Sequence, residues 1–178
     1  FETRICQLLS ELGFSSPQFY VDIKTFDSLN SFGVDDISFQ FSSTSNTALK
    51  NIESVASGGE ISRIMLCLRY MLSEKSKLSI LVFDEIDTGV SGEIAHKLAQ
   101  FLRKITSNIQ VFSITHLPQI ASKGDRHYVV TKRSFDNKTV IDVNELDTEQ
   151  RINEIAKLLS GSKVTDVSIS NAIELLNQ

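Results

Sequence analysis

The sequence predicts an α/β fold: a mainly parallel sheet with flanking helices, plus a small antiparallel hairpin. Three observations carry that expectation. The run Leu78–Phe83, and within it the unbroken Ile80–Phe83, suits a strand buried on both faces of a parallel sheet, and Ile109–Ile114 reads as a second strand. Around them the apolar spacing turns helical, with Ile61, Ile64, Met65, Leu68 and Leu72 on one face and Ile94, Leu98, Leu102 and Ile105 on another. His127–Thr131 and Lys138–Val143 flank a turn at Ser134–Asn137 and read as the hairpin.

A chain of 178 residues, 41% hydrophobic and 22% charged, is long enough for one domain with a sizeable core. A formal net charge of −4 excludes a chain that wraps nucleic acid through overall basicity. Cys6 and Cys67 are too few and too far apart to frame a disulfide scaffold or a zinc site, which favours a reducing cytosol. No apolar stretch approaches the roughly 18 residues that a transmembrane helix needs. The start, Phe1-Glu2-Thr3-Arg4, has neither an initiator Met nor a signal-peptide layout, and suggests a piece of a longer protein.

In chain order, Phe1, Ile5, Leu8 and Leu12 make a helix stripe that also fits a heptad seam, ended by Gly13. Phe19–Phe26 and Ile37–Phe41 alternate as half-exposed strands joined across Asn30–Gly33, and Ser42–Asn51 reads as a loop. In the next helix Arg63 and Arg69 lie off the apolar face, and Cys67 reads as packing. His96 falls opposite the following stripe, in solvent. The tail holds two helices, striped by Ile152, Ile155, Ala156 and Leu159 and by Ile169, Ala172, Ile173 and Leu176, with Gly161 between them. No linker, repeat or low-complexity tract interrupts the pattern, so it reads as one α/β domain.

Three short elements carry chemistry. Ser57-Gly58-Gly59-Glu60 opens the Ile61–Leu72 helix. Ser-x-x-Glu is a capping box, yet capping needs no paired glycines, whereas an anion approaching a helix N-terminus does use them. Asp84-Glu85 ends the first strand. Buried, such a pair is expensive unless a cation or hydrogen bonds neutralise it, and strand alternation would give the two acids different jobs. An apolar strand ending in Asp is the Walker B arrangement, with Asp on Mg²⁺ and the next acid placed to orient or deprotonate a water. Thr115-His116 follows the second strand, and ligands gather at the carboxyl ends of parallel strands. The phosphate-cradling pattern G-x-x-x-x-G-K-[ST] is absent. Gly161-Ser162-Lys163 comes nearest, with Lys displaced by one and Ala156 where the first Gly should be.

Together these residues resemble the ABC-type ATPase heads, and within them the RecN family of bacterial DNA-repair proteins. Val55–Arg63 resembles the signature loop, Leu81–Gly92 the Walker B strand and D-loop, and Ser113–Ala121 the switch-histidine segment. Gly33-Val34-Asp35-Asp36 and Leu158-Leu159-Ser160-Gly161 fit as well, so the likeness runs over nearly the whole chain from about Gly33. It implies the C-terminal lobe of an SMC-like ABC head, residues 14–178, with residues 1–13 as the end of a returning coiled-coil arm and the P-loop half missing.

The resemblance further implies ATP hydrolysis, with Mg²⁺, at the interface of two heads in repair of DNA double-strand breaks. Asp84 would place Mg²⁺ through water, Glu85 would orient the lytic water, and His116 would sense the γ-phosphate. Ser57, Gly58, Gly59 and Glu60 would reach the γ-phosphate bound by the opposite subunit, with Asp87 and Ser91 in the D-loop region. Many ABC proteins carry Asp at the position of Ser91, so that residue's role does not transfer. The implied partners are a second copy, the chain's own N-terminal P-loop half, DNA and recombination proteins. The implied location is the bacterial cytoplasm at the nucleoid, without membrane attachment. Without a Walker A loop this chain alone is expected to be inactive. An ABC transporter's nucleotide-binding subunit would share all three motifs, but Ser91, the heptad-like start and Thr-His-Leu-Pro-Gln argue against it. A non-hydrolysing scaffold would not need Glu85 and His116. The basic residues Lys123, Arg126, Lys132, Arg133 and Lys138 read as a solvated face.

Overall fold

A computed structural model of the chain describes all residues except Val55, Ala56, Lys77, Leu78, Asn108, Asp136, Asn137 and Ser162, and the side chain of Phe135. The first two residues of the signature string, the Leu78 start of the first parallel strand, Asp136 and Asn137 of the hairpin turn, and Ser162 of the Gly161–Lys163 string lie outside the described residues. The chain forms two compact units, Phe1–Ile114 and Thr115–Gln178, a division that the sequence pattern does not mark.

The first unit opens with α1 (Glu2–Glu11), and Ile5, Leu8, Leu9 and Leu12 are all fully buried. Phe1, the first member of the expected stripe, sits before the helix and is exposed, its ring edge-on to Phe19 at 5.9 Å. Gly13 ends the helix at φ +94°, where a Cβ would also meet the Ile94 side chain at 3.4 Å. The chain then makes a long antiparallel hairpin, β1 (Gln18–Asn30) and β2 (Gly33–Ser42), longer than the alternation indicated, with its register broken between Thr25 and Asn30. Only its base is buried, through Phe19, Phe41 and the preceding Phe14, whose ring meets Phe41 edge-on at 5.5 Å. Inside the expected loop, β3 (Lys50–Asn51) pairs with Gln40 and Phe41, and Ser42 Oγ donates to the Thr44 carbonyl at 2.7 Å.

Helix α2 (Gly58–Lys75) departs from its expected face. Ile64, Leu66 and Cys67 are buried, whereas Ile61, Met65 and Leu72 are exposed. The helix buries its flanks against α1 on one side and α3 on the other. Arg4 pairs with Glu74 at 3.2 Å, and Tyr70 meets Phe101 edge-on at 5.6 Å. Cys67 packs as expected, and burial pushes its thiol up to about 12, which keeps it protonated.

β4 (Ile80–Asp84), α3 (Gly92–Ile105) and β5 (Gln110–Ile114) form one parallel crossover, paired from Ile80↔Gln110 to Asp84↔Ile114. Leu98, Leu102 and Ile105 of α3 are buried as the stripe required, joined by Ala95, Ala99 and Phe101, and the His96 ring, half-buried, bonds Gln100 at 3.1 Å. The expectation of burial on both sheet faces is corrected. Leu81 and Phe83 are buried, but Ile80, Val82, Phe112 and Ile114 are 51%, 59%, 46% and 56% exposed. Strand alternation sends these four side chains to the opposite face, and among the described residues of the first unit only the Leu81 and Phe83 face is buried. The α/β class stands, with parallel pairing confined among the described residues to β4–β5 and antiparallel pairing more extensive.

The second unit contains a short helix, α4 (Pro118–Ala121), the hairpin β6 (Tyr128–Phe135) and β7 (Lys138–Glu145), then α5 (Thr148–Ser160) and α6 (Asp166–Asn177). Reciprocal capping boxes start both long helices: Asp147 with Gln150, and Thr165 with Ser168. Their stripes meet in a core of Ile155, Ala156 and Ala172, and Gly161, at φ +77°, makes the break between them. The basic residues of the hairpin are partly engaged within it, Arg126 with Glu145 at 3.6 Å and Arg133 with Asp142 at 3.4 Å.

The one-sided burial of β4 gives a direct comparison. Leu98→Ala should lower unfolding stability by about 2–5 kcal/mol, whereas Val82→Ala should cost less than about 1 kcal/mol in this chain. Urea denaturation of both variants, monitored by circular dichroism, checks the difference.

Candidate functional site

The acids at the end of β4 sit on an unusual backbone. Asp84 pairs with Ile114 as the last ladder residue, and the Glu85 N–H donates to the Ile114 carbonyl at 3.2 Å. Glu85 then turns at φ +50°, a left-handed conformation that costs a non-glycine residue roughly 1–2 kcal/mol. The turn is closed by two bonds onto the Glu85 carbonyl, from Thr88 N–H at 3.2 Å and Thr88 Oγ1 at 3.0 Å, and by Val90 N–H onto the Asp87 carbonyl at 3.0 Å. Both Asp84 and Glu85 are exposed, so the expected desolvation cost of this pair does not arise. The fully buried acid is Asp87, and its burial is the part that the sequence did not single out. Ser91, exposed, is the N-cap residue of α3.

The N-terminus of α2 lies against this turn. Ser57 caps the helix, its Oγ accepting from Glu60 N–H at 3.2 Å, and among the described residues the return bond that would complete a capping box is not made. The two glycines then separate in role. A Cβ on Gly59 would sit 3.1 Å from the Thr88 carbonyl oxygen and 3.9 Å from that of Gly89, so Gly59 is needed for packing against the turn that follows Glu85. A Cβ on Gly58 would meet nothing within 4 Å. Ser57, Gly58, Gly59 and the Glu85–Gly89 turn are therefore brought together in the first unit.

His116 belongs to the second unit, two residues along the chain past Ile114. It is exposed, and Thr115 Oγ1 beside it accepts from Leu117 N–H at 3.0 Å, which fixes the turn into α4. No group of three or more His, Cys, Asp or Glu side chains among the described residues is arranged to hold a metal ion. A single exposed carboxylate, Asp84, fits a cation of the Mg²⁺ type, which keeps several waters and takes one or two protein carboxylates alongside substrate phosphates.

Two features had no sequence signal. Arg63, expected only to lie off the apolar face, places its guanidinium 4.6 Å from the Phe14 ring centroid, and burial lowers its pKa. In the second unit a cavity of about 430 Å³ is lined by Asp125, His127, Glu145, Asp147, Arg151 and Ile152, among others. Arg151 is tied to the carbonyls of Ser122, at 2.8 Å, and Gly124. Burial, and then the charge of Arg151, hold the His127 imidazole below its usual pKa.

Comparison with known proteins now bears on the site. No protein-family model matches the chain. It is 34% identical over 174 residues to DNA repair protein RecN of Haemophilus influenzae, covering 97% of this chain and 31% of that protein. It is 39% identical to RecN of Rickettsia conorii over 99% of this chain and 32% of that protein, and 38% identical to RecN of Bacillus subtilis over 82% and 25%. The chain is a RecN-type sequence. It matches the C-terminal part of RecN and spans about a third of the length of these relatives. The fold of this RecN-type chain is that of an SMC ATPase head lobe. An Smc head with coiled coil and joint from Pyrococcus yayanosii superposes with a TM-score of 0.68 at 19% identity, over 91% of this chain and 29% of that one. A chain from work on ATP-driven dimerization and DNA-stimulated activation of SMC ATPases gives 0.62 at 16% identity, over 91% and 92%. No helix among the described residues is long and apolar enough to cross a membrane.

Adding a methyl should separate the two glycines. Gly59→Ala should destabilise the chain by about 1 kcal/mol through the Thr88 carbonyl, and Gly58→Ala should leave its thermal midpoint unchanged. Differential scanning calorimetry of the two variants reads this. For His127 the lowered folded pKa means that, as pH falls below the unfolded value of about 6.5, the unfolded chain binds a proton that the folded chain refuses. Stability should therefore fall with pH in that window and level off once the folded imidazole also titrates. His127→Gln should flatten the decline in urea midpoints measured between pH 7 and pH 5, a range of order-of-unit steps around that value.

Proposed function

We propose that this chain is the C-terminal half of an ATPase head of a RecN-type protein acting in recombinational repair of DNA double-strand breaks. In this reading ATP joins two heads and hydrolysis releases them. The observation that carries it is the exposed Glu85, held left-handed at the end of a parallel strand beside the Ser57-capped helix N-terminus. Strain of this kind persists where the surrounding bonds impose it, and it is common where a side chain must be aimed.

The roles follow from the chemistry each group can perform. Glu85 accepts a hydrogen bond from a water in line with the terminal phosphorus and takes its proton as the new P–O bond forms and the bond to the β–γ bridging oxygen breaks, with ADP as the leaving group. Asp84, one residue earlier on the ladder, is the carboxylate for hydrated Mg²⁺, which when bound neutralises charge on the phosphate oxygens. Ser57 and the free backbone N–H groups at the start of α2 face an anion, and the open space at Gly58 lets the γ-phosphate of the opposite subunit approach. Glu60, bonded through its N–H to Ser57, stays at the rim of that contact. His116 senses the γ-phosphate through a ring N–H. Asp87 holds the D-loop from within, and Ser91 lies at its end.

The partners are a second copy of the protein, its own N-terminal half carrying the P-loop, DNA, and recombination proteins. The uncovered apolar face of β4–β5 supports the second of these, because parallel strands are found with both faces covered. α1 is read as the end of a coiled-coil arm.

In the full-length protein, Glu85→Gln should retain ATP binding and accumulate head-to-head dimers. Its turnover should fall by at least about 100-fold, the scale of removing a general base. Steady-state phosphate release and size-exclusion chromatography with ATP measure the two effects, and normal turnover in this variant would sink the role of Glu85.

A further inference from the structure

Arg63 is a half-buried charged side chain in the first unit that the hydrolysis chemistry does not use. It lies one turn into α2 and forms no salt bridge among the described residues. Its guanidinium carbon stands 4.6 Å from the centroid of Phe14, and its Nε is buried without a hydrogen-bond partner. A donor left in that state marks a group held by its contacts rather than by its own bonding.

The contacts on either side form a continuous path. Phe14 is buried immediately after α1 and Gly13, with its ring edge-on to Phe41. Further along α1, Arg4 pairs with Glu74 near the far end of α2, and Glu11 pairs with Lys104 of α3 at 2.9 Å. α1 is thus fixed to α2 near its start and to α3 near its end. Beyond Arg63, its Nη1 lies 3.8 Å from the place a Gly59 Cβ would occupy, and Gly59 itself abuts the Thr88 carbonyl. A tilt of α1 moves the Phe14 ring. Arg63 stacks on that ring while its Nη1 stands beside the first turn of α2, so one side chain touches both.

We propose that Arg63 is a positioning residue that couples the placement of α1, through the Phe14 ring, to the Ser57–Gly59 turn and the Thr88 carbonyl beside it. The proposal rests on the reading of that turn as half of a hydrolysis site. Arg63 touches no reacting atom. It sets where the Ser57–Gly59 backbone stands relative to the turn that carries Glu85. A planar cation over an aromatic face suits this task, because it holds its contact with the ring without a fixed hydrogen-bond partner.

Two measurements test it. In this chain, backbone amide resonances are compared between wild type and Phe14→Leu. The amides of Gly58, Gly59, Thr88 and Gly89 should shift, and Phe14→Tyr, which keeps the ring, should restore them. Shifts confined to Gly13 and Phe41 would overturn the coupling. In the full-length protein, Phe14→Leu and Arg63→Lys should each lower kcat about tenfold while KM for ATP stays within about twofold. The double variant should be no slower than about the worse single one, since both act on one path. Multiplying losses, or losses carried by KM, would refute it. Arg63→Lys keeps the charge and carries the test should Phe14→Leu not fold. A wild-type protein without ATP turnover would refute the hydrolysis reading instead, and the amide shifts then decide the coupling alone.

Discussion

The parallel pairing of β4 with β5 is the constraint on which the site depends. It ends at Asp84↔Ile114, and one further bond, from Glu85 N–H to the Ile114 carbonyl, carries the ladder past the last extended residue. That bond and the two from Thr88 leave Glu85 little choice but the left-handed region. The D-loop carbonyls then stand where Gly59 can pack on them, which fixes the start of α2. A shift of one residue in the β4–β5 register would move Asp84 off its place and dissolve the turn that follows.

The uncovered face of the same pair explains an otherwise odd distribution of apolar residues. Ile80, Val82, Phe112 and Ile114 are as apolar as Leu81 and Phe83 on the covered side, yet they stand in solvent. The same holds for Ile61, Met65 and Leu72 of α2. Two strands with both edges open are also a small sheet to stand alone.

Much of this was legible beforehand because it is local. The strand ending in Asp84-Glu85, the helix opened by Ser57, the Gly13 and Gly161 breaks and the tail stripes each rest on spacing within a few residues. What escaped was non-local. The cover of a sheet face depends on partners outside the pattern, so an unbroken apolar run was read as buried twice. Arg63 falls off the apolar face on a helical wheel, and only the fold brings Phe14 beneath it. The burial of Asp87, the exposure of Asp84 and Glu85, and the division after Ile114 likewise have no periodic signature. The paired glycines show the limit well: the same letter twice, one required by a neighbouring carbonyl and the other by nothing in this chain.

The left-handed turn at Glu85 also leaves a mark on how such a chain can change over time. Glycine or asparagine at that position would relieve the backbone and stabilise the fold by about 1 kcal/mol. In the proposed reading, the use of the carboxylate as a base opposes that gain. In any lineage where the acid ceased to matter, drift would run downhill toward those two residues. On the proposed reading, glycine or asparagine at position 85 would be the mark of a head that had lost the chemistry.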